Sequence, residues 1–261
     1  MNSVNACTGR LLRRLILLVM VTGMAACSVQ QPKLPPGDIA AAQRPVARDT
    51  TVALLGGTGF AGSYILREAL TRGYPLRVLS RDAEKLAYLD PRVTLVTGDA
   101  REPAVLRELL SGADIVISAI GPPRDGGDSR SGLSTAVTRA MTAAMEEAGI
   151  TRYIVISGAG VVMPGDRRNL SGWWMRQLVR MRYPGILADK QAEYTLLAAS
   201  GLDWTLVRCP LIEAHDAAGR PEISLRSPGG FYLRAGDLAN FVLDEVATPA
   251  FRRAGPFLSS P

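Results

Sequence analysis

From Thr50 onward, short apolar runs alternate with stretches whose apolar residues recur every three or four positions. Thr51 to Leu55, Leu76 to Leu79, Val93 to Thr97, Ile115 to Ala119, Tyr153 to Ser157 and Trp204 to Val207 read as buried strands. Helical spacing predicts helices from Phe60 to about Arg72, Pro103 to Leu110, Ser134 to Ala148, Trp173 to Arg182 and Leu187 to Ser200. Consecutive strands joined by helices must run parallel, so the pattern predicts an α/β fold with a doubly wound parallel sheet covered on both faces. Beyond Cys209 the rhythm breaks into short strands near Ile223 to Arg226 and Phe231 to Arg234, then a helix from Asp237 to about Val246. This part is expected to form a small C-terminal cap over the carboxyl ends of the strands.

The junction between the first strand and first helix reads Leu55-Gly-Gly-Thr-Gly-Phe-Ala-Gly62. A strand that turns on glycines into a helix aims backbone N–H groups and the positive end of a helix dipole at one point, which suits a phosphate. Gly56 permits the tight turn, Gly59 lets a diphosphate approach the backbone, and Gly62 lets the helix pack close to the sheet. The spacing is G-x-x-G-x-x-G, and its place between a strand and a helix makes it a dinucleotide signal. Thr58, Phe60 and Ala61 share that turn and join the glycines as candidate cofactor contacts.

Ahead of this domain lies a basic start, an apolar run from Leu15 to about Val21, and small residues before Cys27, the layout of a secretory signal over residues 1–26. The run is far short of the roughly 20 residues that cross a bilayer. Met24-Ala-Ala-Cys27 resembles the lipobox of bacterial lipoproteins, with Met where Leu is usual, which implies acylation of Cys27. Ser28, not Asp, follows it and points to the outer membrane, so the expected location is the periplasmic side of a bacterial membrane. Arg13-Arg14 also resembles a degenerate twin-arginine export signal. Residues 27–49, with five prolines and glycines among alanines and glutamines, read as a tether, and the dinucleotide domain is expected over 50–261.

Composition adds little to this. The formal charge is +6, and removal of Arg10, Arg13 and Arg14 with the signal leaves +3. That charge is too small and scattered, and 6% aromatic residues too few, for a nucleic-acid surface. Cys7, Cys27 and Cys209 make no metal-ligand spacing, and Cys209 is expected buried at a strand end.

The chemistry falls at the strand ends. At the tip of the second strand, Ser80 can donate to a 2′-phosphate and Arg81 can pair with it, while Asp82 suits the N-cap of a helix from Ala83; NADP is therefore expected, with NAD the other candidate. Asp99-Ala100 follows the third strand, either near the adenine or as a turn cap. Ala119-Ile120-Gly121 ends the fourth strand beside the cofactor, and Pro122 to Gly132 could form a closing loop. Pro210, past the sixth strand, is a further candidate contact. Arg167, Arg168, Arg176, Arg180 and Arg182 could attract an anionic acceptor such as a flavin phosphate, or simply form a solvated face or lie near anionic lipid headgroups, and Trp173-Trp174 could line the substrate side.

Together the GGTGFAG turn, Ser80-Arg81, Gly98-Asp99, Ser157-Gly158, Lys190, Ser200 to Arg208 and Arg234 to Ala239 resemble the atypical short-chain dehydrogenase/reductases with a Rossmann-type fold, over Thr50 to about Leu258. The nearest branch is the NAD(P)H-binding one of NmrA-like regulators and biliverdin reductase B-like flavin reductases. The resemblance implies a catalytic Ser at Ser157 and a ribose-binding Lys at Lys190, with a Tyr four residues before the Lys. That position is Ile186; Tyr183 and Tyr194 could stand in only if the helix register differs. The expected function is therefore an oxidoreductase passing hydride to a flavin, quinone or tetrapyrrole without a tyrosine acid. The alternatives are a non-catalytic NADP(H) sensor and an envelope scaffold. His215, the single histidine, reads as a solvated loop residue.

Overall fold

The computed structural model describes residues 49–82, 90–121, 132–168 and 170–261. The signal segment, Cys27, the tether to residue 48, the helix expected from Ala83 and all but the last residue of the loop from Pro122 to Gly132 lie outside these residues.

Ten strands and six helices are described: β1 (Val52–Leu55), α1 (Phe60–Thr71), β2 (Leu76–Ser80), β3 (Val93–Thr97), α2 (Pro103–Leu110), β4 (Ile115–Ser118), α3 (Leu133–Ala148), β5 (Arg152–Gly158), α4 (Leu170–Arg182), α5 (Pro184–Ala199), β6 (Asp203–Cys209), β7 (Leu211–Glu213), β8 (Glu222–Ser224), β9 (Tyr232–Arg234), α6 (Ala235–Ala247) and β10 (Phe257–Ser259). The main sheet runs β3-β2-β1-β4-β5-β6-β10-β8, and only β8 pairs antiparallel. This is the Rossmann-type doubly wound sheet, whose strand order reverses between β1 and β4.

Two cores follow from the period-two alternation of the strands. On β1, Val52 and Leu54 face one side with residues of α1 and α6, while Ala53 and Leu55 face the other with residues of α2 and α3. Near-continuous apolar sequence in the central strands thus records burial on both faces.

The stretch from Cys209 onward divides its work. β10 and β8 extend the sheet beyond β6, and the buried face of α6 joins the α1 core. Only the β7–β9 pair, which starts directly past the end of β6, stands where the small cap was expected. The three-residue strands Leu211–Glu213 and Phe257–Ser259 are too short to show an apolar period, and pairing partners alone define them.

Candidate functional site

The glycine turn sits at the point where the strand order reverses. Gly56 has φ +76°, and a Cβ there would lie 2.8 Å from the Ala119 carbonyl oxygen, so β1 and β4 can end side by side only with glycine at this position. The Gly59 N–H donates to Gly56 O at 2.8 Å and closes the turn. Gly62 is the tightest position: its Cβ would come within 2.0 Å of Gly56 O. α1 starts at Phe60 with no side-chain cap and no acid in its first turn, so no side chain of the turn itself occupies the positive helix end. Gly59 is exposed, and Thr58, Phe60 and Ala61 are half-buried around it. An uncapped helix end of this kind suits an anion such as a diphosphate, and a side chain at Gly62 would force α1 off the turn.

At the tip of β2 the structure separates three side chains that the sequence places together. The Ser80 hydroxyl is buried, donates to Asp82 O at 2.7 Å and accepts the Asp82 N–H at 3.2 Å. It holds the turn and is not a free donor for a 2′-phosphate. Arg81 is exposed and makes no hydrogen bond or ion pair among the described residues. Asp99 proves to be a turn cap: it accepts the Arg101 N–H at 2.9 Å and is gripped by the Arg101 guanidinium at 2.9 and 2.6 Å, which holds its carboxyl down at about 2. Three of the four acceptor sites of its carboxylate are taken by Arg101, and the side chain of neighbouring Ala100 packs into the α2 core.

Past the ends of β4 and β5 lies a buried polar network. Lys190 is 6% exposed, and its ammonium donates to Ile120 O at 3.1 Å, Ile156 O at 3.3 Å and Glu193 Oε2 at 2.9 Å. An ammonium has three N–H groups, so all are engaged, and the expected ribose-binding lysine instead ties the two strand ends together. Glu193 also accepts from Thr138 at 3.3 Å and from Ser157 at 3.5 Å. Burial pushes the Glu193 carboxyl up from its ordinary value, opposed by Lys190. The Ser157 contact is at the outer limit for a hydroxyl donor, so Ser157 is weakly held at the end of its strand. Ala119 and Ile120 are half-buried and Gly121 exposed, leaving this edge open beside the glycine turn. Pro210 is half-buried one residue past Cys209, whose carbonyl receives the Ala159 N–H at 2.7 Å.

No phenol occupies the tyrosine position. α5 runs unbroken from Pro184, so the register does not shift and Ile186 remains one turn before Lys190. Tyr183 stands outside the helix, about 10 Å back along its axis from Lys190, with Arg182 over its ring. Tyr194 packs edge-on against Trp204 at 6.0 Å. Tyr153 is fully buried near Ser118, Thr138 and Glu193, and burial pushes its hydroxyl pKa up, the wrong direction for an acid. The thiol of Cys209, buried as expected at the end of β6, is likewise pushed up to about 12.

Several residues that build the site carry no sequence signal. Asp189 caps α3 from α5, accepting the Ser134 and Thr135 N–H groups at 2.8 and 2.9 Å. Asp166 pairs with the buried Arg208 at 2.8 Å, and Arg208 lies 3.6 Å from the centroid of Phe257. Arg168 donates to Ala159 O and Val161 O, and Arg176 to Gly160 O, so these two arginines fasten the loop after Ser157 and are not free for an acceptor. Glu193 alone had a readable cue, its i+3 spacing from Lys190.

A family model described as NAD(P)H-binding matches residues 56–249. An NAD(P)H azoreductase of Xenophilus azovorans is 27% identical over 187 residues, covering 71% of this chain and 56% of the azoreductase, so the chain spans little more than half of that relative. YwnB, an uncharacterized protein of Bacillus subtilis, is 23% identical over 76% of this chain and 92% of its own length. Among solved structures, ChuY, an anaerobillin reductase from Escherichia coli O157:H7, superposes with a TM-score of 0.68 at 22% identity, over 81% of this chain and 98% of its own. A protein of Burkholderia pseudomallei described provisionally as exported does so at 0.64 with 28% identity, over 80% of this chain and 99% of its own.

Proposed function

The chain belongs to the NAD(P)H-binding family, and on that premise we propose that it is an exported, lipid-anchored NADP(H)-dependent reductase whose acceptor needs no tyrosine acid from the enzyme. The observation that carries the reading is the uncapped start of α1, packed through Gly62 onto Gly56, which itself abuts Ala119 at the end of β4, next to a serine edge without a phenol in register. When bound, a nicotinamide dinucleotide supplies a hydride.

The protein's residues do the rest. The backbone around Gly59 and the dipole of α1 hold the diphosphate. Arg81, the exposed guanidinium at the tip of β2, takes the 2′-phosphate. Ala119 to Gly121 present small residues and backbone to the nicotinamide end, and Lys190 keeps them in place through Ile120 O. Ser157, loosely held by Glu193, gives its hydroxyl to the acceptor as a hydrogen-bond donor. A serine hydroxyl is a weak acid, so the proton that completes reduction comes from water. Flavins, quinones, tetrapyrroles and azo dyes tolerate that route, because the added charge is spread over a conjugated system. The azo dye enters this group from the name of the Xenophilus relative.

A second reading, a sensor that binds NADP(H) without turnover, draws on the same missing tyrosine. NADPH is expected to raise Tm, and its absorbance to fall when a flavin, quinone or azo dye is added. Binding without oxidation by any of them selects the sensor, and no binding overturns both, leaving a scaffold. Arg81→Ala should lower NADPH affinity by about tenfold or more and leave NADH affinity unchanged, as loss of one charge-assisted hydrogen bond predicts. An unchanged NADPH to NADH ratio would place the 2′-phosphate elsewhere.

Export as a lipoprotein rests on the signal pattern before Cys27 and on the description of the Burkholderia relative. Mass spectrometry of the N-terminal peptide from a membrane fraction is expected to find Cys27 as an acylated first residue, and an unmodified peptide beginning at Met1 would refute it.

A further inference from the structure

α4 presents an apolar face that no described part of the domain covers. Leu170, Trp174, Leu178 and Met181 are 74%, 57%, 53% and 80% exposed. At 3.6 residues per turn they share an arc of about 80°, and Trp173 and Met175 widen it on either side. Scattered surface leucines need no explanation, but a contiguous stripe of this kind marks an interaction surface.

The charges around the stripe identify the occupant. α4 contains Arg176, Arg180 and Arg182 and no acidic residue. Arg176 is used on Gly160 O, but Arg180 and Arg182 are exposed, flank the stripe on opposite sides, and pair with no carboxylate among the described residues. Trp173 and Trp174 stand edge to face at 5.0 Å and are 46% and 57% exposed, in a helix whose core-facing side is narrow. An apolar stripe carrying tryptophans and bordered by arginines is the composition of a helix lying in a membrane interface, with indole rings at headgroup level and guanidinium groups reaching the phosphates.

We propose that α4 is a docking surface for an anionic lipid bilayer, seated with its axis in the interface plane. The seat does not depend on nucleotide binding or on acylation of Cys27. It has a geometric consequence for the site: Arg168 and Arg176 bind the loop Ala159 to Val161, so the residues directly after Ser157 are fastened to α4 and its flank. Arg176 leaves the helix on the side opposite the stripe, so a bilayer on α4 would lie one helix diameter, roughly 10 Å, from the loop after Ser157.

The test uses the chain from residue 28, which lacks both the signal segment and the lipid-bearing cysteine, mixed with vesicles of phosphatidylcholine alone or with about one third phosphatidylglycerol. Trp204 is buried, so a shift in tryptophan emission reports Trp173 and Trp174. Binding to the anionic vesicles is expected with a blue shift, weakened by salt, and reduced by about tenfold or more in Trp174→Glu/Leu178→Glu, whose exposed positions leave the fold intact. An unmoved emission, equal binding by the double variant, or equal binding to both vesicle types at all salt concentrations would overturn the proposal. So would sedimentation showing a dimer that the same double substitution dissolves, since the face would then belong to a second copy of the chain.

Discussion

Gly62→Ala is expected to abolish most NAD(P)H binding and to destabilise the fold at the same time. The added Cβ would stand 2.0 Å from Gly56 O and 2.7 Å from its carbonyl carbon, and both are backbone atoms that cannot rotate away. Either α1 moves outward or the turn opens, and each displaces the amides proposed to hold the diphosphate. Overpacking of this kind costs about 1–3 kcal/mol. For a domain of this size that is a fall in Tm of roughly 2–10 °C. Affinity should drop about tenfold for each 1.4 kcal/mol of lost contact. Titration calorimetry and the Tm shift with NADPH read the two effects separately. Gly219→Ala, with nothing within 4 Å of the new Cβ and no positive φ, is the control expected to change neither. If Gly62→Ala bound NADPH as the parent does, the start of α1 would not be the diphosphate site.

Glu193→Ala is expected to give the second large effect. The substitution leaves the Lys190 ammonium buried against two carbonyls with no counter-charge. Breaking a buried pair from one side costs about 3–5 kcal/mol, which corresponds to a Tm lower by roughly 10 °C. Replacing both partners with apolar residues, as in Lys190→Met/Glu193→Leu, removes the stranded charge and should recover much of that loss. The double variant should nevertheless carry a functional defect. Without Lys190 tied to Ile120 O and Ile156 O, the ends of β4 and β5 are free to separate, so the double variant should bind NAD(P)H more weakly than its stability suggests. Equal Tm values for the single and double variants would show that the pair is not coupled, and unaltered cofactor affinity in the double variant would show that Lys190 does not position the site.

These two positions differ in how far the sequence exposes them. Gly62 was legible because a turn between strand and helix imposes a steric demand at fixed spacing, and glycine is the residue that meets it. Lys190 was legible as a residue and misassigned as a role. Its place four residues after Ile186 and its match to a known motif say nothing about whether its ammonium faces a ribose or a carboxylate, because that depends on Glu193 and on two carbonyls 34 and 70 residues away in the chain. Ser80 and Asp99 went the same way. Each is a polar residue at a strand tip, and each found a partner two residues on, as short polar side chains in turns do. Arg81, by contrast, is left exposed and without a hydrogen bond or ion pair among the described residues. The acidic and basic residues behind the site, Asp166 with Arg208 and Asp189 with the start of α3, pair across 42 and 55 positions and leave no local pattern.

By itself the sequence determined the alternation of strands and helices, hence the doubly wound sheet, and the glycine turn at its switch point. These depend on periodicity and sterics between neighbours in the chain, which any reader of the order of residues can recover. Tertiary structure decided which charged groups are spent on one another and which face solvent. It drew β10 and β8 into the main sheet, turned Lys190 inward to Glu193, and left the tryptophan face of α4 uncovered among the described residues. Hydrogen bonds and ion pairs are chosen by proximity in space, and the partners that compete for each donor come from distant parts of the chain.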